Sequence, residues 1–177
     1  AVLILFGGGV VANVLLNGTK GNGSGWIVIT TAWALAVFIG VTIAGPYSGA
    51  HLNPAVSVAM AITGSLPWEQ LPLYVLAQIA GASLGAFLVW THYKSHYDKT
   101  EDPNLILATF GTGPAIRNYK INFWSECLAT FILIFSIFFI TGAEITDSKS
   151  PIGLGSVGAI PVAFLVWVIG LALGGTT

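Results

Sequence analysis

Residues 44–55 read AGPYSGAHLNPA, and the Gly, Pro, Ser and Asn in this run are residues that turns and loops prefer. The run lies inside a longer stretch, 21–68, that carries no Asp, Glu, Lys or Arg. As one helix that stretch would extend about 72 Å, which is more than one bilayer crossing needs and too little for two crossings with turns. Asn53 is a favoured N-cap and Pro54 a favoured first helical residue, so a short helix should begin there. The sequence therefore predicts a re-entrant loop that ends in a half-helix, over residues 46–63.

The backbone of this loop is expected to have polar partners. Irregular backbone at membrane depth is tolerated only where it is buried in protein or lines a water-filled cavity, because its amide and carbonyl groups need hydrogen bonds. The residues that precede the predicted half-helix are Gly49, Ala50, His51 and Leu52. We therefore predict that the carbonyl groups of these four residues face a pore or a solute.

The composition places the chain in a membrane. Of its 177 residues, 7% are charged and 55% are hydrophobic, whereas a soluble domain carries about 25% charged residues. These values exclude a water-soluble globule and predict a polytopic membrane protein. The net charge of −1 leaves no basic surface for nucleic acid. The single cysteine, Cys127, permits no disulfide within the chain and is interpreted as a packed apolar residue.

The charged residues mark the loops, because they concentrate in a few short segments. Most of them fall in residues 94–102, in Arg117 with Lys120, and in Glu144, Asp147 and Lys149. The stretches between these clusters are apolar, interrupted in residues 122–142 only by Glu126, and all but the first are long enough to cross a bilayer. The sequence therefore predicts five membrane spans, near residues 1–16, 26–45, 68–92, 122–142 and 156–174.

Both ends of the sequence look cut. The chain opens at Ala1 with no methionine and no basic flank, and its last residue, Thr177, lies in an uncharged stretch. The first apolar run, up to Leu16, would span about 24 Å, short of a bilayer core of about 30 Å. We therefore expect a longer natural protein, truncated here at both ends.

The segment SGAHLNPAV, residues 48–56, closely resembles the first signature loop of the major intrinsic proteins, the aquaporins and glycerol facilitators. Its centre is the tripeptide Asn53-Pro54-Ala55. The resemblance implies an all-α membrane protein, an aquaporin-like right-handed helical bundle with inverted repeats and re-entrant half-helices. Of that architecture this chain should hold about five spans and one half-helix.

An internal repeat supports the resemblance. Residues 3–5 align with residues 133–135, and residues 44–48 align with residues 173–177 at nearly the same offset. The resemblance then implies a single, incomplete channel domain over residues 1–177. Its parts are a first repeat, a connecting loop and a partial second repeat, at residues 1–93, 94–121 and 122–177. The second signature loop would begin beyond Thr177.

Two positions indicate which solute the channel passes. In this family a constriction near the outer mouth separates water channels from glycerol channels, and the resemblance places Trp33 and Gly170 in it. Glycerol facilitators carry Trp at the first position, where water channels usually have Phe, and water channels usually have His at the second. A Trp offers an apolar face to a carbon backbone and a Gly leaves room. The alternative for Trp33 is an interfacial aromatic belt, and for Gly170 it is helix packing.

The function implied is a passive channel for glycerol and small linear polyols, with water, that excludes ions. The alternatives are a water-selective aquaporin or, in a different class, a coupled secondary transporter. Glu126 lies deep inside a predicted span, where a charge costs at least about 2.5 kcal/mol. The resemblance makes it a structural buried acid that accepts from backbone amides of a re-entrant loop, whereas a transporter would use it as a proton relay.

No catalytic constellation is found, so the sequence predicts a protein that is not an enzyme and has no cofactor and no metal. His92 and His96, four residues apart, are better explained by interfacial solvation than by a metal site. The resemblance further implies a multi-pass homotetramer in the plasma membrane, with the lipid bilayer and the permeants as its partners. It places the connecting loop outside the cell, although the positive-inside rule favours the reverse.

Overall fold

The computed structural model describes residues 1–145, 148 and 150–176 as a bundle of helices. Two residues of the third charge cluster, Asp147 and Lys149, lie outside the described residues, as does Thr177 at the end of the internal repeat. In chain order the helices are α1 Val2–Leu15, α2 Trp26–Ser48, α3 Pro54–Ile62, α4 Leu71–His92, α5 Lys94–Lys99, α6 Pro103–Ala108, α7 Tyr119–Ile137 and α8 Ile160–Ala172.

Short elements join these helices. Two 3-10 turns, Trp68–Gln70 and Gly155–Ala159, lead directly into α4 and α8. Between α7 and α8, β1 (Ala143–Glu144) pairs antiparallel with β2 (Pro151–Ile152). The hairpin lies where the sequence places a cluster of charges, and it therefore marks a polar end of the bundle.

The five predicted spans are confirmed as helices. Four of them are long and apolar enough to cross a bilayer, with bounds Trp26–Ser48, Trp68–His92, Tyr119–Ile137 and Gly155–Ala172. The helix α1 is apolar too but has 14 residues. Large apolar side chains such as Leu73 are exposed along these helices. Such a surface suits a hydrocarbon environment, in contrast to that of a soluble monomer.

Three predicted boundaries are wrong. The helix α2 continues through Pro46 to Ser48, where the sequence predicts a loop from residue 46. A proline removes one hydrogen bond from a helix, but leaving the helix there would also free other backbone groups, such as the Gly49 amide that donates to Gly45 at 3.0 Å. The irregular backbone is therefore confined to the five residues 49–53.

The other two corrections concern the start and the end of α7. The helix α7 begins at Tyr119 and ends at Ile137, whereas the sequence predicts a span over 122–142. The short helices α5 and α6 lie within the connecting segment 94–121. Asn118 caps α7 by accepting from the amide of Ile121 at 3.3 Å, and this cap explains the earlier start.

The helix α2 lies at the centre of the bundle and packs against α1 and α8, while α1 also packs against α4. Small residues permit the closest approach. At Gly85 of α4 an added Cβ atom would lie 2.5 Å from the carbonyl oxygen of Ala1. Such contacts between small residues are typical of helices packed in lipid. The short α3 packs against α4 and α7, which positions its first turn inside the bundle.

Candidate functional site

The irregular segment 49–53 has an unusual backbone. Gly49, Ala50 and Leu52 have φ values of 68°, 50° and 54°, in the left-handed region. For a residue with a Cβ atom this conformation costs about 1–2 kcal/mol. Strained backbone of this kind persists when the surroundings hold it, and it concentrates at functional sites. All five residues of the segment, from Gly49 to Asn53, line a cavity of about 410 Å³, which we call the re-entrant cavity.

The half-helix begins as its sequence predicts. The Asn53 side-chain oxygen accepts from the amide of Ala55 at 2.8 Å, and Pro54 is the first residue of α3. This cap leaves the side-chain nitrogen of Asn53 without a partner among the described residues. A helix N-terminus carries a partial positive charge of roughly half a unit. The first turn of α3 therefore presents a donor and a positive potential to the re-entrant cavity.

A polar network of side chains from α3 and α4 supports the segment 49–53. The Ser57 side chain is fully buried, and its oxygen accepts from Gln78 Nε2 at 2.9 Å. The Ser57 hydroxyl lies 3.2 Å from the carbonyl oxygen of Asn53 and donates to it. Its remaining lone pair can then accept from His51 Nδ1 at 3.1 Å, which assigns the proton of His51 to Nδ1.

A second contact holds the end of α2. The Tyr74 hydroxyl donates to the carbonyl of Ser48 at 3.1 Å, and its ring lies 5.0 Å from that of His51. The sequence reasoning did not identify Ser57, Tyr74 or Gln78. The detectable signal was the pair of polar residues Tyr74 and Gln78, which are one turn apart in the apolar helix α4.

Trp33 lies where two cavities meet. Its indole packs on α1, where a Cβ atom added at Gly7 would come within 2.6 Å of three ring carbons. Trp33 lines the re-entrant cavity and also a second cavity of about 600 Å³, which we call the mouth cavity. Val166 of α8 lines both cavities as well. The two cavities therefore adjoin at Trp33 and Val166.

The mouth cavity contains the second predicted filter residue. Gly170 of α8 lines it together with Thr30 of α2. A Cβ atom added at Gly170 would lie 3.1 Å from Cγ2 of Thr30, which is tighter than ordinary contact. The absence of a side chain at Gly170 thus serves the contact between α2 and α8 and also borders the cavity. Both interpretations of this glycine are compatible with the geometry.

The connecting segment forms another wall of the mouth cavity, through residues 108–113. Thr109 donates to the carbonyl of Ile106 at 2.8 Å, so its hydroxyl oxygen accepts from the Tyr97 hydroxyl at 2.7 Å. The Tyr97 ring stacks on Phe110 with centroids 5.6 Å apart. Burial raises the pKa of the Tyr97 phenol, which keeps it protonated and able to donate. These contacts anchor the wall to α5.

Glu126 lines the mouth cavity and is exposed within this chain, and its carboxylate accepts no hydrogen bond from the described residues. Its role as a structural buried acid therefore stays a prediction. The neighbouring Cys127, which the sequence analysis interprets as a packed apolar residue, is exposed as well. Both residues belong to α7, which buries none of its side chains against the rest of this chain.

His92 is the last residue of α4 and His96 lies in α5, and the two side chains have different polar surroundings. His96 Nδ1 lies 3.0 Å from the carbonyl oxygen of Asn17, while the His92 ring packs edge-on against Tyr93. Among the described residues no group of three or more His, Cys, Asp or Glu side chains is placed to hold a metal ion.

Comparisons with known proteins match this chain to one family. A family model described as "Major intrinsic protein" matches residues 1–177. The "Probable glycerol uptake facilitator protein" of Thermotoga maritima is 46% identical over 176 residues, which are 99% of this chain and 72% of that protein. The "Glycerol uptake facilitator protein" of Streptococcus pneumoniae is 49% identical over 176 residues, with the same coverage of 99% and 72%.

A solved structure shares the fold. The aquaglyceroporin from Plasmodium falciparum superposes with a TM-score of 0.80 at 27% sequence identity. The match covers 99% of this chain and 69% of that one. The helical bundle with its re-entrant half-helix is therefore the architecture of a known channel.

Proposed function

Because the chain belongs to the major intrinsic protein family, we infer that it is a glycerol channel of the plasma membrane and not an enzyme. Glycerol uptake facilitators at 46% and 49% identity carry the substrate assignment. The structural observation that supports it is the junction of the two cavities at Trp33. A solute that enters the mouth cavity can pass the indole and reach the strained segment of the re-entrant cavity.

In the proposed mechanism, the re-entrant segment replaces the hydrogen bonds that the solute makes in water. The carbonyl groups of Gly49, Ala50, His51 and Leu52 accept from solute hydroxyls or water. The side-chain nitrogen of Asn53, which has no partner among the described residues, donates to a solute oxygen, while the side-chain oxygen is occupied by the cap. Successive weak sites of this kind offset desolvation without tight binding, so passage stays fast.

Selectivity is proposed to arise at Trp33, where the two cavities adjoin, and at Gly170 in the mouth cavity. The Trp33 indole offers an apolar face to the carbon side of a polyol, and Gly170 leaves space where a larger side chain would narrow the path. The same passage is proposed to admit water and other small linear polyols. Ions are excluded because the half-helix that starts at Pro54 directs positive potential toward the path, and because a bare ion regains too few ligands there.

The assembly and domain division are part of the proposal. A homotetramer is the arrangement that the family resemblance implies, and the exposed apolar helices supply surface for lipid and for neighbouring subunits. The division into a first repeat 1–93 and a partial second repeat 122–177 rests on the internal alignment. Each repeat would supply one half-helix to the path.

The test uses the complete gene product in proteoliposomes, with protein-free vesicles as the control. We expect glycerol and water permeabilities well above the control, measured by stopped-flow light scattering. Ionophores that collapse proton and sodium gradients should leave glycerol flux unchanged. Water flux without glycerol flux would favour the water-selective alternative, and a loss of flux with ionophores would favour a coupled transporter.

A further inference from the structure

The end of α8 leaves one carbonyl group for another helix to satisfy. The amides of Leu173 and Gly174 both donate to the carbonyl of Ile169, at 2.8 and 3.1 Å. The Gly170 carbonyl therefore lacks the amide that would pair with it in a continuing helix. It accepts instead from Nε1 of Trp26, at 3.0 Å. The first residue of α2 thus completes the last turn of α8.

This hydrogen bond fixes the plane of the Trp26 ring. The same indole lies against Gly174, where an added Cβ atom would come within 3.1 Å of ring atom Cζ2. The ring therefore lies against Gly174 and the Gly170 carbonyl, and 44% of Trp26 is still exposed. A side chain held by both a polar and an apolar contact stays in one orientation at the edge of the mouth cavity.

Trp26 and Trp33 form one aromatic wall. They are seven residues apart on α2, about two turns, so they lie on the same face of the helix. Both line the mouth cavity, with Thr30 between them. The seven residues from Trp26 to Trp33 rise about 10 Å along the helix axis, which is more than the length of glycerol. A solute would therefore meet Trp26 before it reaches Trp33.

Another wall of the mouth cavity is of a different kind. Residues 108–113 line it, and its Thr109 hydroxyl is already engaged with Tyr97 and Ile106. The peptide groups of this wall, the Thr112 hydroxyl and the carboxylate of Glu126, which lines the same cavity, supply its polar character. A linear polyol has a carbon edge and a hydroxyl edge, and these match an aromatic wall and a polar wall of one cavity.

We propose that Trp26 is a specificity-determining residue that selects linear polyols over water at the entrance, before they reach the filter. The proposal rests on the glycerol channel function given above and adds a residue to it. The ring contacts the carbon edge of the solute, and the hydrogen bond to Gly170 holds the ring in place. It also keeps the Gly170 carbonyl from binding the solute hydroxyls, which would slow passage.

The test compares Trp26→Leu and Trp26→Phe in the complete channel, with Trp124→Leu as a matched control. Trp124 is exposed on α7 and lines neither cavity. Permeabilities for water, glycerol and ribitol are measured in vesicles and normalised to the amount of folded protein. Glycerol flux in the parent protein is the first condition, because its absence would refute the proposed function together with this inference.

In Trp26→Leu we expect the glycerol-to-water permeability ratio to fall about fivefold, equivalent to about 1 kcal/mol, with a larger fall for ribitol. Trp26→Phe keeps a ring and loses the donor, so its ratio should lie between those of the parent and Trp26→Leu. Trp124→Leu should keep the parent ratio. With glycerol flux intact in the parent, equal losses of water and glycerol in Trp26→Leu, or an unchanged ratio, would overturn the inference alone. A Trp26→Phe ratio as low as that of Trp26→Leu would overturn the aromatic wall.

Discussion

The substitution Ser57→Ala tests whether the buried network holds the strained re-entrant segment. The Ser57 oxygen accepts from Gln78 at 2.9 Å and from His51 at 3.1 Å, and its hydroxyl donates to the carbonyl of Asn53. That carbonyl keeps a partner in the variant, because the Ser57 amide also donates to it at 3.0 Å. The side-chain donors of Gln78 and His51, in contrast, lose their acceptor.

The magnitude follows from these two donors. A buried donor without a partner costs about 1–3 kcal/mol. The side chains of His51 and Gln78 are half-buried, so water in the neighbouring cavities can satisfy them in part, and the lower end applies. We therefore expect a loss of about 2 kcal/mol in the free energy of unfolding. This is comparable to the cost of about 1–2 kcal/mol for each left-handed conformation at Ala50 and Leu52.

The segment should consequently leave its strained conformation for part of the time. We expect water and glycerol permeabilities to fall together, by about threefold or more, because the shared path is lost rather than its selectivity. The assays are denaturant unfolding in detergent and stopped-flow flux in vesicles. The control is Ser83→Ala, since Ser83 is exposed on α4. Unfolding and flux values for Ser57→Ala that equal those of Ser83→Ala would refute the supporting role of the network.

Three further predictions address the filter, the half-helix and the wall of the mouth cavity. Gly170→His should suppress glycerol flux more than water flux, and it should also lower stability because its Cβ atom would lie 3.1 Å from Thr30. The glycerol-to-water flux ratio is compared with that of Gly170→Ala. Equal losses in both fluxes would remove Gly170 from the filter. Asn53→Asp should admit cation current, which voltage clamp measures, since it places negative charge at the start of the half-helix. Asn53→Ala should lose about 1 kcal/mol of capping energy, which denaturant unfolding measures. Asn53→Asp channels that conduct no cations would contradict the electrostatic barrier. Tyr97→Phe should raise amide hydrogen exchange in residues 108–113 because Thr109 loses its donor, and unchanged exchange there would show that the stacking on Phe110 suffices.

The half-helix shows how far local chemistry reaches. An N-cap and a first-turn proline act within a few residues, so Asn53 and Pro54 predict the start of α3 without knowledge of any other helix. The spans are similarly local, because length and apolar composition decide whether a segment can cross a bilayer. The end of α2 was missed because the penalty at Pro46 competes with backbone hydrogen bonds that the membrane makes expensive to break.

Some residues of the candidate site could likewise be predicted from the sequence, and others could not. The family resemblance selected Trp33 and Gly170, and both line the mouth cavity. It did not reveal Ser57 or Gln78, because their roles depend on the contact of α3 with α4.

By itself the sequence determined that this chain is a membrane bundle with a capped half-helix, because composition, charge clusters and capping act over short distances. The tertiary structure alone decided that two cavities adjoin at Trp33, that a network behind Ser57 holds a left-handed segment, and that Trp26 completes the end of α8. Each of these features joins residues from different helices. The packing that brings them together is cooperative, and no single segment encodes it.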